Sequence, residues 1–131
     1  MAGVEVWQPD DTPLNSPALS RFVEASKFID EPMLGLSSVE IEKWASVMKR
    51  TAHEWASALT NESEPRLISL VKFFTLAEMR LPGWEAGARS PVIRIVAELR
   101  RRNAYPKDLT AWIKANSTNR FLPYGSLTER L

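Results

Sequence analysis

Proline placement constrains this chain more than any other feature. Ser16-Pro17, Ser63-Glu64-Pro65 and Ser90-Pro91 each set a hydroxyl side chain just ahead of a proline, and an apolar segment follows each. Proline fits a helix only in its first turn, where its missing N–H would have had no intrahelical partner. A serine just before it supplies the oxygen an N-cap needs. The three sites therefore read as three helix starts.

The segments behind these starts carry helical spacing. The first runs from Ser16 to about Asp30 with Leu19, Phe22, Val23 and Ile29 inward, and Glu31-Pro32 stops it, because the residue before proline avoids helical backbone. A second start lacks proline but has the capping box Ser37-x-x-Glu40. Behind it Ile41, Trp44, Met48, Ala52, Trp55 and Leu59 recur at steps of three and four. This spacing predicts one amphipathic helix from Ser37 to Thr60, about six turns long.

The third helix begins near Ser63 and ends at Pro82-Gly83. Leu67, Ile68, Leu70, Val71, Phe73, Phe74, Leu76, Ala77 and Met79 surround it on most sides, so it is expected to be central and most buried. Its length, with proline at one end and Pro-Gly at the other, favours helix over strand. Trp84 to Arg89 reads as a linker. The fourth helix, Ser90 to about Asn103, turns Val92, Ile93, Ile95, Val96 and Leu99 inward. A short fifth, from Tyr105-Pro106 to Asn116, does the same with Leu109, Trp112 and Ile113.

The expectation is an all-α, single-domain bundle of about five helices over residues 16–118. An extended N-terminal arm (1–15) precedes it and a tail (119–131) docks back on it. At 131 residues one domain is the natural division. The chain has no Cys, which removes disulfides, thiolate metal sites and thiol nucleophiles together. Met1 to Asp11 has neither the basic start nor the apolar stretch of a signal peptide. No uncharged run approaches the ~18 residues of a spanning helix. A cytoplasmic location, with no membrane partner, is expected by elimination.

Catalytic chemistry finds little to work with. His53 is the only His, and no G-x-S-x-G frames any Ser as a nucleophile. His53-Glu54 begins like a zinc-protease motif, but Ser57 stands where the second His belongs. The glycines sit singly at 3, 35, 83, 87 and 125, so no phosphate loop forms. His53 reads as a helix-surface residue. No catalytic residue, metal ligand or cofactor is assigned, and a non-enzymatic protein is expected. An enzyme whose carboxylates gather from separate helices is the remaining catalytic route.

Binding is what remains. The 17 Lys+Arg and 16 Asp+Glu are split unevenly. Residues 1–64 hold 11 acidic and 5 basic side chains; residues 65–131 hold 5 and 12. Either the basic half meets an anionic partner or the two halves attract each other within one fold. Arg100, Arg101, Arg102, Lys107, Lys114 and Arg120 form the densest basic region. They are candidates for phosphates or an acidic protein. Against that, three successive helical residues fan over roughly 200° and form no single patch. Glu98, four residues before Arg102, is placed to pair with it.

Residues 91–103, a tight turn at Asn103-Ala104-Tyr105 and residues 106–116 imitate a helix-turn-helix without the usual turn glycine. Of the tryptophans, 44, 55 and 112 lie on apolar stripes, whereas Trp7 and Trp84 fall in an arm and a linker, where exposed aromatics make interface hot spots. Phe121, Leu122, Tyr124 and Leu127 make the tail too apolar for a solvated end. It either packs on the helices, with Arg120 pairing to the acidic half, or binds a partner. The leading expectation is a protein–protein interaction or adaptor domain that uses the basic region with Phe121 and Tyr124, its partner another protein or a second copy of itself. The alternative is a nucleic-acid-binding regulator using residues 91–116.

Overall fold

The computed structural model describes residues 14–119. The arm at 1–13 and the tail with Arg120, Phe121 and Tyr124 lie outside the described residues. Among the described residues there is no strand, and six α-helices form: α1 (Ser16–Ala25), α2 (Ser38–Trp44), α3 (Ala52–Leu59), α4 (Glu64–Arg80), α5 (Pro91–Arg101) and α6 (Leu109–Asn116).

Three starts use the expected cap oxygens. The side chain of Ser63 accepts from the Arg66 N–H, Ser90 from Val92 and Ser37 from Glu40. The first start differs by one residue. Asn15 caps α1, accepting from the Ala18 N–H at 3.1 Å, and Ser16 is already helical. Pro17 still falls in the first turn, where it needs no hydrogen-bond acceptor. α1 also ends sooner than expected, at Ala25. A 3₁₀ turn over Ser26–Phe28 follows, and Ile29 is exposed rather than inward.

The predicted six-turn helix over 37–60 is two helices. α2 ends at Trp44, a 3₁₀ stretch covers Ala45–Lys49, and Arg50 and Thr51 are extended. The break has a local cause. Thr51-x-x-Glu54 is a second capping box: the Thr51 hydroxyl accepts from the Glu54 N–H at 3.1 Å, and the Thr51 N–H donates to Glu54 Oε1 at 2.9 Å. A threonine that can cap competes with its own helical conformation. The apolar stripe survives because Ile41, Met48, Trp55 and Leu59 all remain buried, while Ala52 turns outward. Thr51→Ala is expected to cost about 1 kcal/mol, the usual loss for a cap. Urea unfolding checks this; an unchanged midpoint would show that tertiary packing alone makes the break.

α4 is the central helix, as its all-round apolar character requires. It packs against α1, α5 and α6, and α3 packs on α5. Leu67, Leu70, Val71, Phe73, Phe74 and Ala77 are fully buried. The core is aromatic at its centre. Phe22 of α1 stacks on Phe73 at 5.1 Å and meets Phe74 edge-on at 5.2 Å. Trp84, expected to lie in a linker, is fully buried among these rings, and its Nε1–H donates to the Ile41 carbonyl at 2.9 Å. The linker thereby holds α2 against α4.

The α5–α6 connection covers residues 102–108 rather than a three-residue turn, and α6 starts at Leu109, later than Tyr105-Pro106 suggested. Asn103 supplies the left-handed residue, φ 59°, that glycine more often provides. The Ala104 N–H then reaches back to the Leu99 carbonyl at 2.8 Å.

Candidate functional site

Two surfaces compete as a functional site: the basic region at the end of α5, and an apolar groove where the loop after α1 meets the ends of α2 and α4.

The three arginines point three ways. The Arg100 guanidinium lies over the Tyr105 ring, 4.8 Å from its centre. Arg101 forks onto Glu98, Nε to Oε1 at 3.0 Å and Nη2 to Oε2 at 2.5 Å. Arg102 turns inward. Its Nε donates to Glu98 Oε2 at 2.7 Å, its Nη1 to the Glu62 carbonyl at 2.6 Å, and its Nη2 to the Leu59 and Thr60 carbonyls. These carbonyls belong to the end of α3 and the turn after it, which have no later helical turn to donate to them. Arg102 thus acts as the C-terminal cap of α3. The forked hydrogen bond from Arg101 holds the Glu98 carboxyl at about 2, well below its usual range, with Arg102 adding to it.

Lys107 is exposed before α6 and Lys114 in its last turn. Arg101 and Arg102 converge on one carboxylate. Arg102→Met keeps the bulk of the side chain and removes four donated hydrogen bonds. It is expected to cost about 2 kcal/mol by leaving the α3 carbonyls short of donors. Thermal unfolding measures it; a change below half that would make the cap dispensable.

The groove was not visible in the sequence. Its volume is about 500 Å³, and Met33, Leu36, Ser38, Ile41, Glu42 and Pro82 line it. Met33 of its lining is open to solvent (45 %), as are Phe28 (40 %) and Ile29 (38 %) on the α1–α2 connection and Val39 (72 %) on α2. Two arginines hold its walls. Arg80, in the last turn of α4, donates from Nη1 to the Ile29 and Glu31 carbonyls at 2.7 and 3.1 Å, fixing the loop against that helix. Arg21 of α1 forks onto Glu40 of α2 at 2.7 and 3.0 Å and also reaches the Gly35 carbonyl at 3.2 Å. That fork, with the capping bonds from Ser37, holds the Glu40 carboxyl at about 2.

The loop itself carries backbone strain. Leu34 is buried at φ 56° and Gly35 follows at φ 72°, a left-handed pair that only the glycine adopts freely. A Cβ at Gly35 would come within 3.1 Å of the Phe28 ring, so the bare glycine lets Phe28 lie across the loop. Glu42 lines the groove, and Asp30 and Glu31 are exposed on the connection that carries Met33.

A second cleft of about 390 Å³ lies between α4 and α6, lined by Ile68, Lys72, Pro106, Asp108, Leu109, Ala111 and Trp112. The Lys72 ammonium lies over the Trp112 ring, 5.6 Å from its centre. His53 is exposed on α3. Among the described residues no three His, Asp or Glu side chains gather to hold a metal ion, and no helix is long and apolar enough to cross a membrane.

Among its described residues the molecule is thus all-helical, with a largely apolar groove on its surface. No family model, curated protein or solved structure matches the chain.

Proposed function

We propose that this is a non-enzymatic, cytoplasmic, single-domain helical bundle that binds other proteins through the groove between the α1–α2 loop and the end of α4. The observation that supports the reading is the cleft lined by Met33, Leu36, Ile41 and Pro82, with Phe28, Ile29 and Val39 also exposed on the connection and helix that form it. Contiguous apolar surface with a polar rim is the mark of an interaction site, whereas scattered apolar residues are ordinary. Glu42 in the lining favours a short segment with aromatic or aliphatic anchors and a neighbouring Arg or Lys.

The basic region supports the nucleic-acid alternative less well, since Arg101 and Arg102 are engaged by Glu98 and by the α3 carbonyls. The groove is therefore the surface proposed here, ahead of the arginines.

A displayed library of random 12-residue peptides, selected on the immobilised full-length protein, tests this. Selected peptides should pair apolar anchors with Arg or Lys. Their affinity should fall at least tenfold, ~1.4 kcal/mol, in Met33→Glu and less in Glu42→Lys. Peptides indifferent to Met33→Glu would overturn the reading. Salt-sensitive binding of a random DNA duplex, lost on changing Lys107 and Lys114 to Gln, would promote the alternative.

A further inference from the structure

We propose that the cleft between α4 and α6 binds a small zwitterion, an α-amino acid with an apolar side chain. This cleft shares no lining residue with the groove beside the α1–α2 connection, and its occupancy is tested separately.

Two helical faces build the site. Ile68 and Lys72 are four residues apart on α4. Asp108 and Trp112 are four apart at the start of α6, where the Trp112 N–H donates to the Asp108 carbonyl at 3.2 Å. Side chains at that spacing share one face of a helix, one turn apart. Each helix thus brings one apolar and one charged side chain to the same cleft, and Leu109 and Ala111 add apolar lining. The volume of about 390 Å³ suits a small ligand, since such sites usually span ~300–1,000 Å³.

The two opposite charges line this cleft without meeting. Among the described residues no ion pair joins Lys72 to Asp108, or either of them to another side chain. The Lys72 ammonium is half-buried and lies over the Trp112 ring, a partner that attracts a cation but carries no charge. Asp108 stands at the N-cap of α6, yet its side chain accepts no capping hydrogen bond, the use to which an aspartate there is ordinarily put. Its carboxylate is exposed. Neither capping nor internal pairing accounts for the two groups.

A zwitterion answers both. Its carboxylate takes charge-assisted hydrogen bonds from Lys72, whose flexible stem follows the ligand. Its ammonium donates to Asp108. An apolar side chain then displaces water from Ile68, Leu109 and Trp112. A ligand with a single charge would meet one of the two groups and be repelled by the other.

Amide spectra of the 15N-labelled full-length protein, titrated with L-phenylalanine and with L-leucine, test the assignment. Saturable shifts are expected at residues 68–72 and 106–113. Lys72→Met and Asp108→Asn should each weaken binding by about tenfold or more, the loss of a hydrogen bond between charged groups, and leave the rest of the spectrum in place. Ligand analogues assign the charges with the protein unchanged. N-acetyl-L-phenylalanine lacks the ammonium; it should bind about tenfold more weakly and lose nothing further in Asp108→Asn. L-phenylalanine amide lacks the carboxylate and should behave in the same way toward Lys72→Met. The proposal is overturned by the absence of a saturable shift with either amino acid, by shifts centred on residues 28–42, or by analogues that bind as well as the parent amino acid.

Discussion

Trp84→Ala is expected to remove about 4 kcal/mol of stability, near the upper end for a single core truncation. The residue lies outside every α-helix, yet it closes the aromatic centre: Phe22, Phe73 and Phe74 lie 5.9 to 6.3 Å from its ring. Three losses combine. The favourable transfer of the ring out of water is forfeited. The void left among rigid rings collapses poorly. The buried Ile41 carbonyl also loses the Nε1–H that reached it at 2.9 Å. Trp84→Phe separates these effects, because it keeps most of the bulk and removes the donor; about 1–2 kcal/mol is expected. Since Ile41 lines the groove, the alanine variant should also weaken peptide capture. Urea unfolding by circular dichroism checks the stabilities. A loss below ~1 kcal/mol would mean that the ring cluster is not the keystone of the core.

Stability should fall by about 3 kcal/mol as pH rises from about 4.5 to about 7, and Glu78 is the reason. Its side chain is buried on α4, accepts a short hydrogen bond from the Ser90 hydroxyl and another from Asn119. Burial penalises the charged form and pushes the carboxyl up to about 7, these hydrogen bonds and one from the Ala86 N–H opposing only in part. Between the ordinary value, near 4.5, and about 7 the folded protein holds a proton that the unfolded chain has released. The folded state is therefore favoured at the acid end of this window and loses its advantage as pH climbs through it. Each tenfold difference in proton affinity between the folded and unfolded states corresponds to about 1.4 kcal/mol.

Glu40 and Glu98 act in the opposite sense. Held at about 2 by Arg21 and by Arg101 with Arg102, they stabilise the fold above the ordinary carboxylate range and lose that contribution as pH falls toward 2. The stability maximum is thus expected near pH 5. Glu78→Gln carries no charge at any pH and should flatten the slope between pH 5 and 7, leaving the variant more stable than the parent at pH 8. Urea midpoints at pH 5, 6, 7 and 8 decide the matter. A parent protein whose stability is level or rising over that range would refute the assignment.

The elements were legible where the signal is local. Pro17, Pro65 and Pro91, with a cap oxygen just ahead of each, marked three starts; Ser37 with Glu40 marked another. The centrality of α4 followed from its all-round apolar surface, and Glu98–Arg102 from a four-residue spacing. The break at Thr51 was equally local, a second Thr-x-x-Glu box. It was overridden because the apolar stripe keeps helical spacing straight through it.

The groove was not legible because nothing local encodes it. Met33, Leu36, Ile41 and Pro82 come from a loop, a helix and a helix end, and they share a wall only because Arg80 and Arg21 tie the loop down. Trp84 and Glu78 tell the same story. In the sequence one is a linker residue and the other a lone acid. The fold turns them into a core ring and a buried carboxyl.

Local sequence thus accounts for the helical character of the described chain, for where four of its helices begin and for which helix is buried. Those choices depend on backbone geometry and on periodicity within a turn or two. Packing of the whole chain settles which arginine caps a distant helix, which tryptophan fills the core and where apolar surface stays open. Each depends on residues 40 or more apart in sequence, Arg102 to Glu62 and Leu59, Trp84 to Ile41, Arg80 to Ile29. Contacts at such separation form only when the whole core has packed and excluded water.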